Sequence, residues 1–251
     1  PRRILSLCTS AGEALAAMGQ AHRVAAIDEY GRVVRGVEHA VVIGKGSLVS
    51  REQVLALGID LAFVWWYQDD AAAMLEGLSV PVVRIRSARA AELPAMIRLV
   101  GLCVGSSEAA DEVARHVEGY LRQPVAAGDP PCRPRVYLEL YGAFKTVGRD
   151  TYLNDLLELA GAVNVARDAS GSVLLSAERL MEADPDVILF VEGFATPEAI
   201  AARPGLSEQK AVRSARVHPI DRRWLVAGPN LPRAVEKLRE AIGTSGTPQG
   251  S

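Results

Sequence analysis

One phrase occurs twice in this chain. Residues 48–64 read LVSREQVLALGIDLAFV and residues 174–190 read LLSAERLMEADPDVILF. Leu48/Leu174, Ser50/Ser176, Glu52/Glu178 and Asp60/Asp186 are identical, and nearly every other apolar position matches in type. Each copy reads as a Ser N-cap, a short helix, a turn carrying Asp and a continuous apolar strand. Self-similarity at one fixed offset marks a chain built from related units. The openings of the two halves agree with this. Arg3-Ile4-Leu5-Ser6-Leu7 and Arg135-Val136-Tyr137-Leu138-Glu139 are both basic-then-apolar strands, and each is followed by a helix ending in glycine, at 13–19 and 154–161.

Apolar runs at 3–7, 24–27, 40–43, 61–66 and 81–85, then at 135–140, 163–165, 187–192 and 216–219, alternate with helical stretches. That order predicts an α/β fold of two Rossmann-like lobes, each a parallel sheet with helices on both faces. Between the lobes Leu93, Met96, Ile97, Val100 and Val104 recur at helical spacing, followed by Ala110, Val113, Val117, Tyr120 and Leu121. Ser107 with Glu108 and Asp111 opens a helix over 107–123, roughly 25 Å long at ~1.5 Å per residue, which is expected to join the lobes as a long rigid helix. The Pro-rich segment PVAAGDPPCRPR then enters the second lobe. The expected division is an N-terminal lobe over 1–87, a helical linker with its Pro-rich entry over 88–131, and a C-terminal lobe over 132–251 that ends in a flexible tail.

Composition narrows the function. Hydrophobic residues make up 49% of the chain, and 28 Lys+Arg against 30 Asp+Glu leave a net charge of -2. Disorder is excluded by that balance, and so is nucleic-acid binding through bulk positive charge. Cys8, Cys103 and Cys132 are an odd number, far apart, and form neither a disulfide framework nor a CxxC knuckle. The four histidines, among them His39 and His218, are dispersed as ordinary polar positions, with no HExxH. There is no nucleophile elbow, P-loop or dinucleotide glycine fingerprint, so the chain reads as a non-catalytic protein without a cofactor of its own. No apolar stretch approaches the ~20 residues of a membrane span. The chain opens on Pro1 without an initiator Met, as expected of a processed or trimmed protein, and no signal peptide is visible in it.

RRILSLCTSAGEALAAMGQAHRVAAID resembles the opening of the helical-linker (class III) substrate-binding proteins of bacterial ABC importers, which carry ferric siderophores, haem, vitamin B12 or related chelates. SREQVLALGIDLAFV, KTVGRDTYLNDLLELAGAVNVA, SAERLMEADPDVILF and VAGPNLPRAVEKLRE resemble further family segments, in family order and across nearly the whole chain. Two positions depart from the family pattern: Cys8 replaces a Pro in the first turn, and Gly228-Pro229-Asn230 replaces a Gly-Pro-Arg. The resemblance implies a monomer in the periplasm or tethered to the cell surface. Such a protein captures a metal chelate between its lobes with a rotation of only several degrees. It also implies that Glu52 and Glu178, one per lobe, dock onto arginines of the membrane permease.

In open α/β sheets, ligands bind beyond the carboxyl ends of the strands. Trp65, Trp66 and Tyr67 follow the strand at 61–64; Tyr141 and Lys145 follow 135–140; Phe194 follows 187–192. Tyr30 and Lys45 follow two strands of the first lobe, and Arg222 and Arg223 follow 216–219. Aromatic faces suit a large organic ligand, cations suit its carboxylates or phenolates, and a Tyr phenolate is a haem-iron ligand. This mixture makes a ferric siderophore the first expectation, with cobalamin or haem next. The alternatives are a molybdate-type oxyanion held near Thr9 and Ser10 at a helix start, or a chelatase-like enzyme on the same two-lobed frame.

Overall fold

The computed structural model describes residues 1–86, 89–123 and 133–243. The Pro-rich entry from 124, Cys132 and the tail from 244 lie outside the described residues. The chain divides into two compact units. The first holds Pro1–Ser87, Ala91–Arg122 and Val226–Asn230; the second holds Ala88–Ala90, Gln123–Leu225 and Leu231–Ser251.

In the first unit the elements run β1 (Ile4–Ser6), α1 (Thr9–Ala17), β2 (Val24–Ile27), β3 (Val41–Val42), β4 (Gly44–Lys45), β5 (Leu48–Val49), α2 (Arg51–Ala56), β6 (Leu61–Trp65), α3 (Asp69–Glu76), β7 (Val82–Ile85), α4 (Leu93–Cys103) and α5 (Ser107–Leu121). Five strands form one parallel sheet in the order β3-β2-β1-β6-β7. Leu5, Leu7, Val64 and Leu75 are 0–1% exposed in one core cluster, and each such burial is worth about 1.5–3 kcal/mol. The helix expected to join the lobes is α5, which packs along α4 in this unit. Arg98 Nε lies 2.8 Å from Asp111 and Nη1 lies 2.6 Å from Glu118. A Cβ on Gly101 of α4 would stand 2.1 Å from the Cβ of Ala110, so glycine sets how closely the two helices approach.

In the second unit the order is β8 (Arg135–Glu139), β9 (Lys145–Val147), α6 (Tyr152–Leu159), β10 (Val163–Asn164), β11 (Ser172–Leu174), α7 (Ala177–Ala183), β12 (Val187–Val191), α8 (Pro197–Ala201), α9 (Lys210–Arg213), β13 (Val217–Ile220) and α10 (Leu231–Ile242). Its sheet is parallel in the order β10-β8-β12-β13. Tyr137, Leu180, Ile188 and Phe190 lie in its core.

The duplicated phrase does the same work in both units. Ser50 caps α2 by accepting from Gln53 N at 3.2 Å, and Ser176 caps α7 by accepting from Arg179 N at 3.2 Å. Asp60 accepts from the backbone N–H groups of Arg2 and Arg3, and Asp186 accepts from that of Arg135, so each clasps the head of the neighbouring strand. Burial opposes the charge on both carboxylates, yet the donors outweigh it and hold each below its ordinary value.

Strand ends differ from the apolar runs by one to two residues. The run at 40–43 contracts to β3, 163–165 contracts to β10, and 216–219 shifts to β13. Ladder pairing, rather than apolarity, sets where a strand ends. Two antiparallel ribbons, β4-β5 and β9-β11, stand where only loops are expected. No described helix is long and apolar enough to cross a membrane.

Candidate functional site

Aromatic and cationic side chains gather at the carboxyl ends of the strands in each unit. Beyond β6 in the first unit, Trp65 is half-buried while Trp66 and Tyr67 are 53% and 59% exposed. Tyr67 stacks on Trp65, with centroids 6.3 Å apart and planes at 7°, and meets Trp66 edge-on at 5.6 Å. Buried Gln68 secures this turn by accepting from Trp65 N at 2.8 Å. Arg86, just past β7, lies over the Trp66 ring at 5.4 Å.

Tyr30 and Lys45 form a second group in this unit. Buried Asp28 joins their two loops, accepting from Gly31 N at 2.9 Å and from Gly46 N at 3.0 Å. Lys45 Nζ sits 5.8 Å from the Tyr30 ring centroid and 3.1 Å from Glu29, whose carboxylate raises the proton affinity of the ammonium.

The second unit carries a matching arrangement. Tyr141 past β8 and Phe194 past β12 are 46% and 54% exposed and pack edge-on at 5.1 Å. Arg222, past β13, lies over the Tyr141 ring at 5.7 Å and donates from Nε to its hydroxyl at 3.3 Å. Arg223 is 2.6 Å from Asp221 and lies over Trp224. Lys145 lies at the start of β9.

Beneath this group Glu139, at the end of β8, is 2% exposed. It receives Arg203 at 2.5 and 2.7 Å, the Tyr137 hydroxyl at 2.9 Å and Phe144 N at 3.0 Å. A hollow of about 740 Å³ lined by Arg133, Arg135, Asn164, Arg167, Asp186 and Lys210 lies at the other end of this sheet, by the amino ends of β8 and β10.

Chemically, each unit presents exposed rings beside a guanidinium: Trp66/Tyr67 with Arg86, and Tyr141/Phe194 with Arg222. Such a surface grips an extended organic ligand through its faces and pairs with an acidic substituent. Asp28, Arg86 and Glu139 escape a reading by residue type alone; for Asp28 and Arg86 a charged residue directly after an apolar strand was the available signal, whereas Glu139 ends β8 itself. Thr9 and Ser10 are 8% and 0% exposed, which leaves few hydroxyls to hold an oxyanion. No three His, Cys, Asp or Glu among the described residues form a metal-ligand group. The docking candidates Glu52 and Glu178 lie exposed in the first turns of α2 and α7.

Glu13, on α1, is largely buried, and burial pushes its carboxyl up to about 7 despite the opposing pull of Arg35. Val226–Asn230 packs on this helix: a Cβ on Gly228 would lie 2.9 Å from that of Glu13. The stability that protonated Glu13 contributes is complete below its ordinary value of 4.5 and is lost as pH rises through about 7. Glu13→Gln should therefore stabilise the protein by about 2–3 kcal/mol at high pH and leave it unchanged near pH 4, as read by urea unfolding. Equal effects at both pH values would disprove the shift.

Residues 4–223 match the family model described as periplasmic binding protein. YvrC, an ABC transporter substrate-binding lipoprotein of Bacillus subtilis, is 27% identical over 256 residues, covering 96% of this chain and 80% of that protein. A cobalamin-binding protein of Halobacterium salinarum is 27% identical over 200 residues, 75% of this chain; the match spans 53% of that relative's length. A periplasmic heme binding protein from Pseudomonas aeruginosa superimposes with a TM-score of 0.86 at 25% identity, over 100% of this chain and 96% of the other.

Proposed function

We infer that this chain, which belongs to the periplasmic binding protein family, is the substrate-binding protein of an ABC importer and captures a corrinoid such as cobalamin for delivery to the permease. The observation that carries this reading is the pair of aromatic ledges, Trp66/Tyr67 and Tyr141/Phe194, each with one guanidinium over it. A corrinoid offers a broad, methyl-bearing macrocycle for the rings, with amides on its rim, and a phosphodiester for an arginine. The ferric siderophore expected from sequence rested on the mixture of aromatics with four cations, Lys45, Lys145, Arg222 and Arg223. Two of these, Lys45 and Arg223, already have carboxylate partners in Glu29 and Asp221, so the rings carry more of the recognition than the charges do. Haem is the second reading, favoured by the exposed phenols of Tyr67 and Tyr141. The protein works as a monomer outside the cytoplasmic membrane, in the periplasm or tethered to the cell surface.

Tryptophan-fluorescence titration with cyanocobalamin, haemin and ferric hydroxamate and catecholate siderophores tests the reading. Cyanocobalamin should quench saturably, and Trp66→Ala should weaken it about tenfold, equivalent to about 1.4 kcal/mol. Saturation by a siderophore or by haemin alone moves the ligand to that class. Silence across the panel overturns the assignment.

A further inference from the structure

The repeated frame supplies an internal control for one arginine. Arg3 precedes β1 and Arg135 opens β8, each level with the aspartate before the neighbouring strand. Asp60 accepts from Arg3 N at 2.9 Å, and Asp186 accepts from Arg135 N at 2.7 Å. Their side chains then differ. In the first unit the Arg3 guanidinium donates from Nε to Leu57 O, at the end of α2. In the second unit the Arg135 guanidinium makes no hydrogen bond or ion pair among the described residues. Arg135 lines the hollow of about 740 Å³ instead, together with Arg167 from the turn after β10.

The remaining charges of the hollow do not neutralise this pair. Asp186 is engaged by Arg135 N and by Lys210 Nζ, and Asp168 lies beyond ion-pairing reach of both guanidiniums. Arg133 adds a further cation to the lining. A concave surface with an excess of one sign concentrates counter-ions of the other. Half-buried Val163 and Val165 give the hollow an apolar part as well. All of these residues belong to the second unit. They lie at the end of its sheet opposite Tyr141 and Phe194, which follow β8 and β12.

We propose that this hollow is a second binding site, for the phosphate ester of a polyol, with Arg135 and Arg167 taking the phosphate. Each guanidinium presents a planar fork of donors. A tetrahedral phosphate receives two such forks from different directions, whereas a planar carboxylate is matched by one. The volume is far more than a bare phosphate fills and lies in the range of small-molecule pockets, which calls for an organic carrier. Val163 and Val165 suit the carbon skeleton of that carrier, and the Asp168 carboxylate suits its hydroxyls.

Glycerol phosphate, free or as the headgroup of phosphatidylglycerol, has this chemistry and is the probe. Calorimetry on the full chain at about 50 mM salt should show saturable binding of glycerol phosphate with a Kd below about 1 mM. Arg135→Ala with Arg167→Ala should weaken it at least about tenfold, with melting temperature and cyanocobalamin quenching unchanged. Arg135→Lys with Arg167→Lys keeps the charge without the fork and should weaken it about threefold or more. Co-sedimentation with phosphatidylglycerol vesicles, lost in the alanine pair, would identify the source as lipid. Binding of the free ester without vesicle binding would identify a soluble one. No saturable binding of the ester and no vesicle binding overturns the inference. So does parent-like binding by either pair, which would leave only diffuse surface charge, or tighter binding of citrate than of glycerol phosphate. Failure of the parent to bind any chelate would overturn the transport reading and leave this site standing.

Discussion

Replacing Glu139 by alanine should cost about 3–5 kcal/mol and lower the melting temperature by roughly 10 °C. The carboxylate is 2% exposed and serves three partners: the Arg203 guanidinium, the Tyr137 hydroxyl and Phe144 N. Removing it strands a cation whose side chain is only 18% exposed, and leaves a buried phenol and an amide without their acceptor. Arg203 also lies over the Phe144 ring at 5.2 Å, so the loop that carries Tyr141 loses its anchor and chelate affinity should fall with stability. Because the cost comes from the stranded charge, pairing Glu139→Leu with Arg203→Met should restore much of the stability. Urea unfolding of the parent and the two variants decides the matter. A loss under about 1 kcal/mol for Glu139→Ala would show that water takes over the role of the carboxylate.

Reversing the charges proposed for docking, Glu52→Arg with Glu178→Arg, should reduce chelate uptake at least about a hundredfold while leaving chelate affinity unchanged. Both residues are exposed, and each follows a serine that caps its own helix, so the fold does not depend on them. The backbone N–H of Glu178 and the Ser176 hydroxyl hold the Glu178 carboxyl below its ordinary value, which keeps it charged in mildly acidic surroundings. Single reversals should be milder than the pair, since each removes only one of the two contacts proposed. Uptake into proteoliposomes alongside fluorescence titration separates the two functions. A matching drop in chelate affinity would place these glutamates in the ligand site.

Local features were readable wherever they depend on neighbours in the chain. The run Leu61–Val64 is apolar because both faces of β6 are buried, and Ser50 and Ser176 announce helix starts through their hydroxyls. The ribbons were not readable, since two- and three-residue strands are too short to show a period. Glu139 was invisible as an anchor because its guanidinium partner is 64 residues away. Arg86 gains its meaning only from the Trp66 ring that β6–β7 pairing brings near it. Lys45 and Arg223 were readable as cations, but their carboxylate partners Glu29 and Asp221 decide how much of that charge remains for a ligand.

The segment Val226–Asn230 belongs to the first unit although it lies near the end of the chain, and Val226 and Ala227 are buried there. A chain emerging amino end first makes the sheet of the first unit early. It cannot lay the last piece of that unit over α1 until residue 230 has appeared. By then β8 through β13 have all been made, so the second unit has all its strands and lacks only α10, while the first still lacks its seal. The half of the protein that is synthesised first therefore closes only just before the other half receives α10, and a chaperone guarding the nascent chain has the α1 surface to cover through most of its synthesis.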